Sequence, residues 1–437
     1  MPDAVKTAKE NYGSIKAKAK YAAASKAAAD YTRSEYLPNL NLSAQWDYGT
    51  VNGQIGPAYG FGGLGVASSG LPSASQNWRA AFGAIYLTNV NWDFFAFGRV
   101  KQKIKTSESI AVRDEKDLEQ EIFQHTIKVS AAYLNLLVAQ KLRASLEKNL
   151  ERAQAIGLVV TTRARTGLVP GVDSSLANAE ISNARIAITR ALDFEQERSN
   201  QLSVLMGVAP ETLTLDSLFV TSIPVGLQTP AGQVNDTHPT LQYYKSRIRV
   251  SEQQRQYLKT FYYPTFSMVG VFQTRGSGFG SAYAANPTDY THSILTGFNP
   301  VRSNFLFGLG VTWNLTQPLR YAHQVKSQDL ISRALLDEYQ LAAQQLDAQA
   351  VLAETKIKNA LDNYREAPLQ VKAASDAYLQ KTVMYRNGLA NLVDLNQTLY
   401  ALIRAETDRD IANNNVWQAL LLKAAASGDY SVFENAF

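Results

Sequence analysis

The sequence predicts a mixed α and β membrane protein: a long α-helical coiled-coil barrel joined to a transmembrane β-barrel, with four strands per chain and twelve in a trimer. Three observations predict this fold class. The chain is an internal duplication, each copy contains two strands of alternating polarity, and each copy continues as two long helices separated by one turn. Each copy is therefore expected to supply one β-hairpin and one helical hairpin.

Composition excludes several classes of protein. The 43 Lys and Arg residues exceed the 38 Asp and Glu residues by only five and form no basic run, which argues against a nucleic-acid partner. Cysteine is absent, so there is no disulfide, thiolate metal site or cysteine nucleophile. No apolar stretch has the length of about 18 residues or more that a transmembrane helix needs. The chain begins without a signal segment, so we expect either a cytoplasmic protein or a mature form that has lost one.

Two blocks of sequence recur. Residues 90–109 align without a gap with 311–330, and residues 11–38 align with 237–264 at a slightly larger offset. The offset of the first block persists to the pair Gly207 and Gly428, as a continuous helical hairpin requires, because one inserted residue would rotate later side chains by about 100°. The predicted boundaries are a first repeat 1–215 (β-hairpin 39–93, helical tip near 165–173), a linker 216–236 and a second repeat 237–437 (β-hairpin 265–315, helical tip near 386–394).

The predicted strands are long enough to cross a bilayer when tilted, and they alternate in polarity except for residues 265–276, where Val269 and Val271 lie opposite the other apolar residues. After Pro38, the strand 40–49 places its apolar residues on one face, and the return strand 77–92 does the same. Aromatic side chains prefer the membrane boundary, so we expect membrane-facing positions at Trp46, Tyr48, Trp78, Phe82, Phe305 and Phe307. A soluble sheet with one face on a core is the alternative interpretation.

The predicted helices are long and apolar on two sides. No proline occurs between about Ala96 and Thr166, and some 70 helical residues would form a rod on the order of 100 Å long. Two neighbouring apolar stripes indicate a cylinder of helices. Four strands in lipid would leave two unpaired edges, each exposed backbone group costing several kcal/mol, so several chains must close the barrel. The polar strand face would then line water.

Four segments carry a family resemblance: SEYLPNLNLSAQWDYG, VNWDFFAFGRV, RTGLVPGVDSSLANAEI and RNGLANLVDLNQTLYALIRAE. In this order the chain resembles, over essentially its full length, the TolC family of outer-membrane efflux channels. The resemblance implies a homotrimer in the outer-membrane lipid of a Gram-negative-type bacterium, extending into the periplasm. It also implies a passive exit duct of a tripartite efflux or type I secretion system. The implied partners are a periplasmic adaptor (membrane fusion) protein and an inner-membrane pump of the RND, ABC or MFS type.

The resemblance also implies roles for the two turns and the linker. The turns would dock the adaptor through Thr166, Gly167, Leu168, Asn387, Gly388 and Leu389, and the linker would join a belt around the helices. Tyr385 and Asp173 match positions whose hydrogen bond helps close the tunnel, and Asp394 matches a carboxylate ring at the constriction. Ala390 and Gln397 replace an Arg and a second carboxylate, so we expect fewer ionic restraints and a weaker cation preference.

Other interpretations are weaker. The glycines of GFGGLG, residues 60–65, lack the helix that a dinucleotide motif needs and fit a hairpin loop. The four histidines show no ligand spacing, and no catalytic arrangement stands out, so we expect neither an enzyme nor a cofactor. Asp173 and Asp394 could instead stabilise helix N-termini. The alternative function is a non-channel coiled-coil scaffold with a small β domain.

Overall fold

The computed structural model describes residues 1–53, 73–210, 213, 215, 219, 222–224 and 236–436. The GFGGLG segment and most of the linker lie outside the described residues. The helices are α1 (Pro2–Asn11), α2 (Gly13–Ser34), α3 (Arg99–Arg165), α4 (Gly171–Met206), α5 (Pro239–Lys259), α6 (Ile294–Phe298), α7 (Gln317–Arg386), α8 (Leu392–Ser427) and α9 (Ser431–Glu434), with a short 3-10 helix at Thr260–Tyr262. The strands are β1 (Asn39–Gly49), β2 (Ala81–Phe95), β3 (Thr265–Ser277) and β4 (Arg302–Thr312).

The chain forms two compact units, and each contains parts of both sequence repeats. The first unit comprises Met1–Lys26, Glu108–Glu252 and Leu330–Phe437, and the second comprises Ala27–Ser107 and Gln253–Asp329. None of the described helices combines the length and hydrophobicity needed to cross a bilayer.

Trp417 of α8 lies at the centre of the largest core of the first unit. Its ring contacts those of Phe219 at 4.9 Å and Phe433 at 6.0 Å, and its indole N–H donates to the carbonyl oxygen of Ser222 at 3.0 Å. Apolar side chains of α1, α3 and α4 complete this core. Between residues 213 and 219, the structure describes residues 213, 215 and 219, and Phe219 packs into this core.

His238 is buried immediately before α5. From its contacts we expect the folded protein to lose stability in acid. Its Nε2 lies 3.1 Å from the Ala425 carbonyl oxygen, and its Nδ1 accepts from the Thr240 amide at 3.1 Å, so the ring is neutral with Nε2 protonated. Burial lowers its pKa, opposed by the bond to Ala425. Because the folded pKa lies below the unfolded value of about 6.5, this contribution is complete above the unfolded value and is lost as pH falls through the folded pKa.

We therefore expect the thermal unfolding midpoint to fall between pH 8 and pH 5.5, and His238→Gln to reduce that dependence. His323→Gln, on an exposed part of α7, is the matched control and should retain the wild-type slope. Equal slopes for the wild type and both variants would contradict this role.

The second unit contains the predicted sheet of four antiparallel strands in the order β1-β2-β3-β4. The register places the large aromatic residues of the four strands on one face: Trp46 is opposite Ala84, Tyr48 is opposite Phe82, and Phe272 is opposite Phe305. The other face, here called the polar face, pairs Asn41 with Asn89 and Gln273 with Asn304, and it also carries apolar residues such as the opposed Val271 and Leu306. The predicted strand number is confirmed, whereas β2 and β3 carry apolar residues on both faces; β1 and β4 are the two edge strands.

The return strand differs from the prediction at its start. It begins at Ala81, which pairs with Gly49, the last residue of β1. Residues 77–80 have no partner on β1, and Asn77 instead exchanges hydrogen bonds with Asn52 at 2.7 and 2.8 Å. Trp78 therefore lies outside the sheet, 80% exposed. The prediction of a strand from residue 77 is wrong, because the Asn52 side chain binds the backbone of Asn77 in place of strand pairing.

The duplication extends to individual contacts at the helix-to-strand corners. The Trp92 indole N–H donates to the Tyr36 carbonyl at 2.8 Å, and the matching Trp313 donates to Tyr262 at 3.2 Å. Both tryptophans therefore fix the same corner in the two repeats.

The short helix α6 packs against the apolar face of the sheet at its loop end. The Phe298 ring lies 6.3 Å from that of Trp46 and 5.7 Å from that of Phe82. The Tyr86 hydroxyl donates to the Phe298 carbonyl at 3.0 Å. Phe82 is thus partly covered, whereas Trp46, Tyr48, Phe305 and Phe307 are 55%, 56%, 84% and 65% exposed.

Candidate functional site

The two helical hairpins of the first unit turn through the same backbone structure. At the end of α3, the Leu168 amide donates to the Arg163 carbonyl at 2.9 Å and the Gly167 amide to the Ala164 carbonyl at 3.1 Å. At the end of α7, Leu389 and Gly388 make the equivalent bonds at 2.8 and 3.1 Å. These are Schellman motifs, in which a residue with positive φ ends the helix.

Gly167 and Gly388 have φ of 74° and 73°, which explains why glycine recurs at these two positions. An alanine at Gly167 would meet no atom within 4 Å, so its cost is conformational, about 1–2 kcal/mol. We expect Gly167→Ala to accelerate amide hydrogen exchange at Leu168 by roughly tenfold. Gly171→Ala, which also has open space and no positive φ, is the control and should leave exchange unchanged. Equal exchange in both variants would contradict this assignment.

Tyr385 lies where the two helical hairpins meet. It is 3% exposed and packs with Val160 of α3, Ala177 of α4, and Leu392 and Leu395 of α8. Burial raises the pKa of its phenol, helped by the Asp173 carboxylate and opposed by Arg163. Its hydroxyl is buried without a hydrogen bond in the part of the chain that the structure describes. The structure thus brings Asp173 and Tyr385 near each other but forms no hydrogen bond between them.

Arg163, which the sequence reasoning missed, links the hairpins directly. Its Nη1 donates to the carbonyl oxygens of Tyr385 at 2.7 Å and Arg386 at 3.2 Å. The guanidinium carbon lies 5.5 Å from the centre of the Tyr385 ring. A cation at the C-terminal end of α7 satisfies carbonyls that have no partner within the helix. Its position four residues before Gly167, in the last turn of α3, was the available sequence signal.

Asp394 is also paired with a residue that the sequence reasoning missed. Its carboxylate lies 3.1 Å from Lys381 Nζ across the α7–α8 turn, and both side chains are partly exposed. Lys381 precedes Gly388 by seven residues and Asp394 follows it by six, so the antiparallel helices place them opposite each other. The backbone amide of Asp394 donates to the side-chain oxygen of Asn391 at 2.8 Å, and this hydrogen bond caps α8. Asp394 therefore occupies a first helical turn and also forms an ion pair.

The two hairpins differ in charge at corresponding positions. When the repeats are aligned through Gly167 and Gly388, Val160 corresponds to Lys381 and Met384 corresponds to Arg163. Asp173 thus lacks the lysine that Asp394 has, and the second hairpin lacks the arginine that the first supplies. Within the described residues, no group of three or more His, Asp or Glu side chains could hold a metal ion.

The comparison with protein families gives one match. Residues 4–208, which include the first β-hairpin and the first helical tip, match the family model "Outer membrane efflux protein". The matched segment therefore resembles outer membrane efflux proteins over slightly less than half of the chain. The resemblance predicted from sequence is thereby confirmed, and this family comprises transport proteins, not enzymes. A comparison with curated proteins returns no match.

Solved structures extend the similarity of this chain to the second repeat. The outer-membrane channel OprN is 16% identical, with a TM-score of 0.78 over 98% of this chain and 89% of that one. VceC from Vibrio cholerae is 15% identical, with a TM-score of 0.76 over 98% and 96% of the two chains. CusC is 14% identical, with a TM-score of 0.77 over 98% and 92%. At these identities the similarity confirms the fold of long helices and a small sheet.

Proposed function

We propose that three copies of this efflux protein form a passive, gated exit duct through the outer membrane. The observation that carries the proposal is the four-stranded sheet with one apolar face and two edge strands. In lipid, the hydrogen-bonding groups of β1 and β4 need partners, and joining β4 of one copy to β1 of the next closes twelve strands. The polar face then lines a water-filled lumen.

The helical hairpins supply the periplasmic part of the duct in this proposal. Tyr385, Asp173 and Asp394 form its gate, with Arg163 holding the two hairpins together. The substrate comes from an inner-membrane pump through a periplasmic adaptor, in a tripartite efflux or type I secretion system. The family match to efflux proteins and the fold shared with outer-membrane channels support this role.

Reconstitution tests this function directly. The protein should partition with outer membranes, require detergent, behave as a trimer and conduct ions in a planar bilayer. A protein that remained soluble and monomeric without detergent would instead support the coiled-coil scaffold.

The tips offer two exposed leucines to an adaptor: Leu168 is 68% and Leu389 is 72% exposed. Each follows a glycine that lets another backbone approach closely. We expect Leu168→Asp with Leu389→Asp to weaken binding of the purified adaptor about tenfold, measured by calorimetry on trimers. Leu158→Asp, at a residue 72% exposed on α3, is the matched control. Equal weakening by the control would contradict docking at the tips.

A further inference from the structure

Two arginines lie opposite each other at the loop end of the sheet. Arg275 of β3 pairs in register with Arg302, the first residue of β4. Directly opposed residues point to the same face, with Cβ atoms about 4.5–5.5 Å apart. The register places both on the polar face, in the row next to Gln273 and Asn304, and both are exposed.

No carboxylate of the described residues forms an ion pair with either arginine. Asp47, on the same face one row nearer the loops, accepts a hydrogen bond from Gln45 at 2.9 Å. The loop sequence from residue 50 to residue 80 contains no Asp or Glu. Asp289, the acidic residue of the second loop, accepts from the Ala282 amide at 2.9 Å. Like charges directly opposite each other destabilise a sheet, and no carboxylate of the described residues offsets the repulsion within this pair.

Gln273 holds one of the two guanidinium groups in place. With its amide oriented to satisfy both ends, its oxygen accepts from Arg275 Nε at 2.5 Å and from Nη2 at 2.9 Å. An arginine carries five N–H donors. The remaining donors of Arg275 and the guanidinium of Arg302 make no hydrogen bond with the described residues. They are therefore available to a ligand that accepts several hydrogen bonds.

We propose that Arg275 and Arg302 form a binding site for multivalent phosphate-type anions at the loop end of the barrel lumen. This inference rests on the proposed trimer, in which two arginines per chain place six guanidinium groups at one level. Arginine binds phosphate oxygens through paired, charge-assisted hydrogen bonds, and rings of basic side chains select anions in pores. A bound phosphate relieves the repulsion within each pair. The barrel thus attracts anions at this level.

Single-channel recording in phosphatidylcholine bilayers tests the site, with sodium tripolyphosphate added to one side at constant ionic strength. We expect wild-type channels to be blocked from one side only. In the double variant Arg275→Gln, Arg302→Gln, the half-blocking concentration should rise at least about tenfold. The Arg275→Lys, Arg302→Lys variant keeps the charge without the paired geometry and should be intermediate.

Arg79→Gln is the matched control, because Arg79 belongs to the loop and donates to the Pro287 carbonyl at 2.9 Å. Its half-blocking concentration should stay within about twofold of the wild-type value. Conducting double-variant channels that are blocked like the wild type, or equal relief by Arg79→Gln, would overturn the site while leaving the channel function intact. Absence of any conductance would overturn both.

The same recording distinguishes a dissolved anion from a lipid headgroup. Lipid A added to the leaflet on the loop side should abolish the tripolyphosphate block of wild-type channels if headgroup phosphates reach the arginines. A block that persists in lipid A would identify a dissolved anion as the ligand. Either result keeps the phosphate-type chemistry of the site.

Discussion

The Arg163→Met variant is expected to raise the conductance of reconstituted channels several-fold. Arg163 joins α3 to the end of α7 by bonds of 2.7 and 3.2 Å, and it stacks on Tyr385. Hydrogen bonds to a charged group contribute about 1.5–3 kcal/mol, and this site is only half-buried. Loss of about 1.5 kcal/mol per chain would shift the ratio of closed to open conformations about tenfold.

Arg163→Lys should give an intermediate conductance, because a lysine keeps the charge without the planar group that spans two carbonyls. Arg165→Met, two residues later and exposed, is the matched control and should conduct like the wild type. Conductance that is the same in wild type and Arg163→Met would show that the hairpins separate without breaking these bonds.

The second large effect is expected from the ion pair at the tip of the second hairpin. Lys381 lies 3.1 Å from Asp394, so a ring of three aspartates in a trimer would carry three lysines beside it. Removing the cation in Lys381→Met should increase the cation-to-anion permeability ratio several-fold. It should also lower the hexamminecobalt concentration for half-block by about tenfold, because each carboxylate loses its counter-charge.

Asp394→Asn should have the opposite effect and abolish the cation preference. Lys372→Met, at an exposed lysine elsewhere on α7, is the control for the loss of one positive charge. Reversal potentials in a salt gradient measure all four proteins. If Asp394→Asn left both selectivity and cation block unchanged, Asp394 would not lie at the constriction.

The sequence was informative wherever a pattern repeats. Alternating polarity predicted the four strands and their apolar face, and the constant offset between the two repeats located both turns through Gly167 and Gly388. These features depend on local geometry: period two in a strand and positive φ at a helix end. The confirmed fold class follows from them.

Contacts between distant parts of the chain were not predictable in this way. Arg163 reaches carbonyls 222 and 223 residues away, at positions that only helix packing brings together. The start of β2 depends on Asn52, whose side chain binds the backbone of Asn77 in place of strand pairing. The packing of α6 on the sheet depends on Phe298, within a loop that shows no strand or helix periodicity.

Cross-linking between strand edges tests the central claim, a barrel closed by three chains. The protein has no cysteine, and β1 and β4 lie at opposite edges of its sheet. A scan pairing Ser43→Cys in β1 with cysteines along β4, including Asn304→Cys, should give a covalent trimer on a denaturing gel for at least one pair. Asn89→Cys with Val271→Cys, opposed within one chain, controls for oxidation. Efficient oxidation of this control with no covalent trimer from any edge pair would contradict the closed barrel.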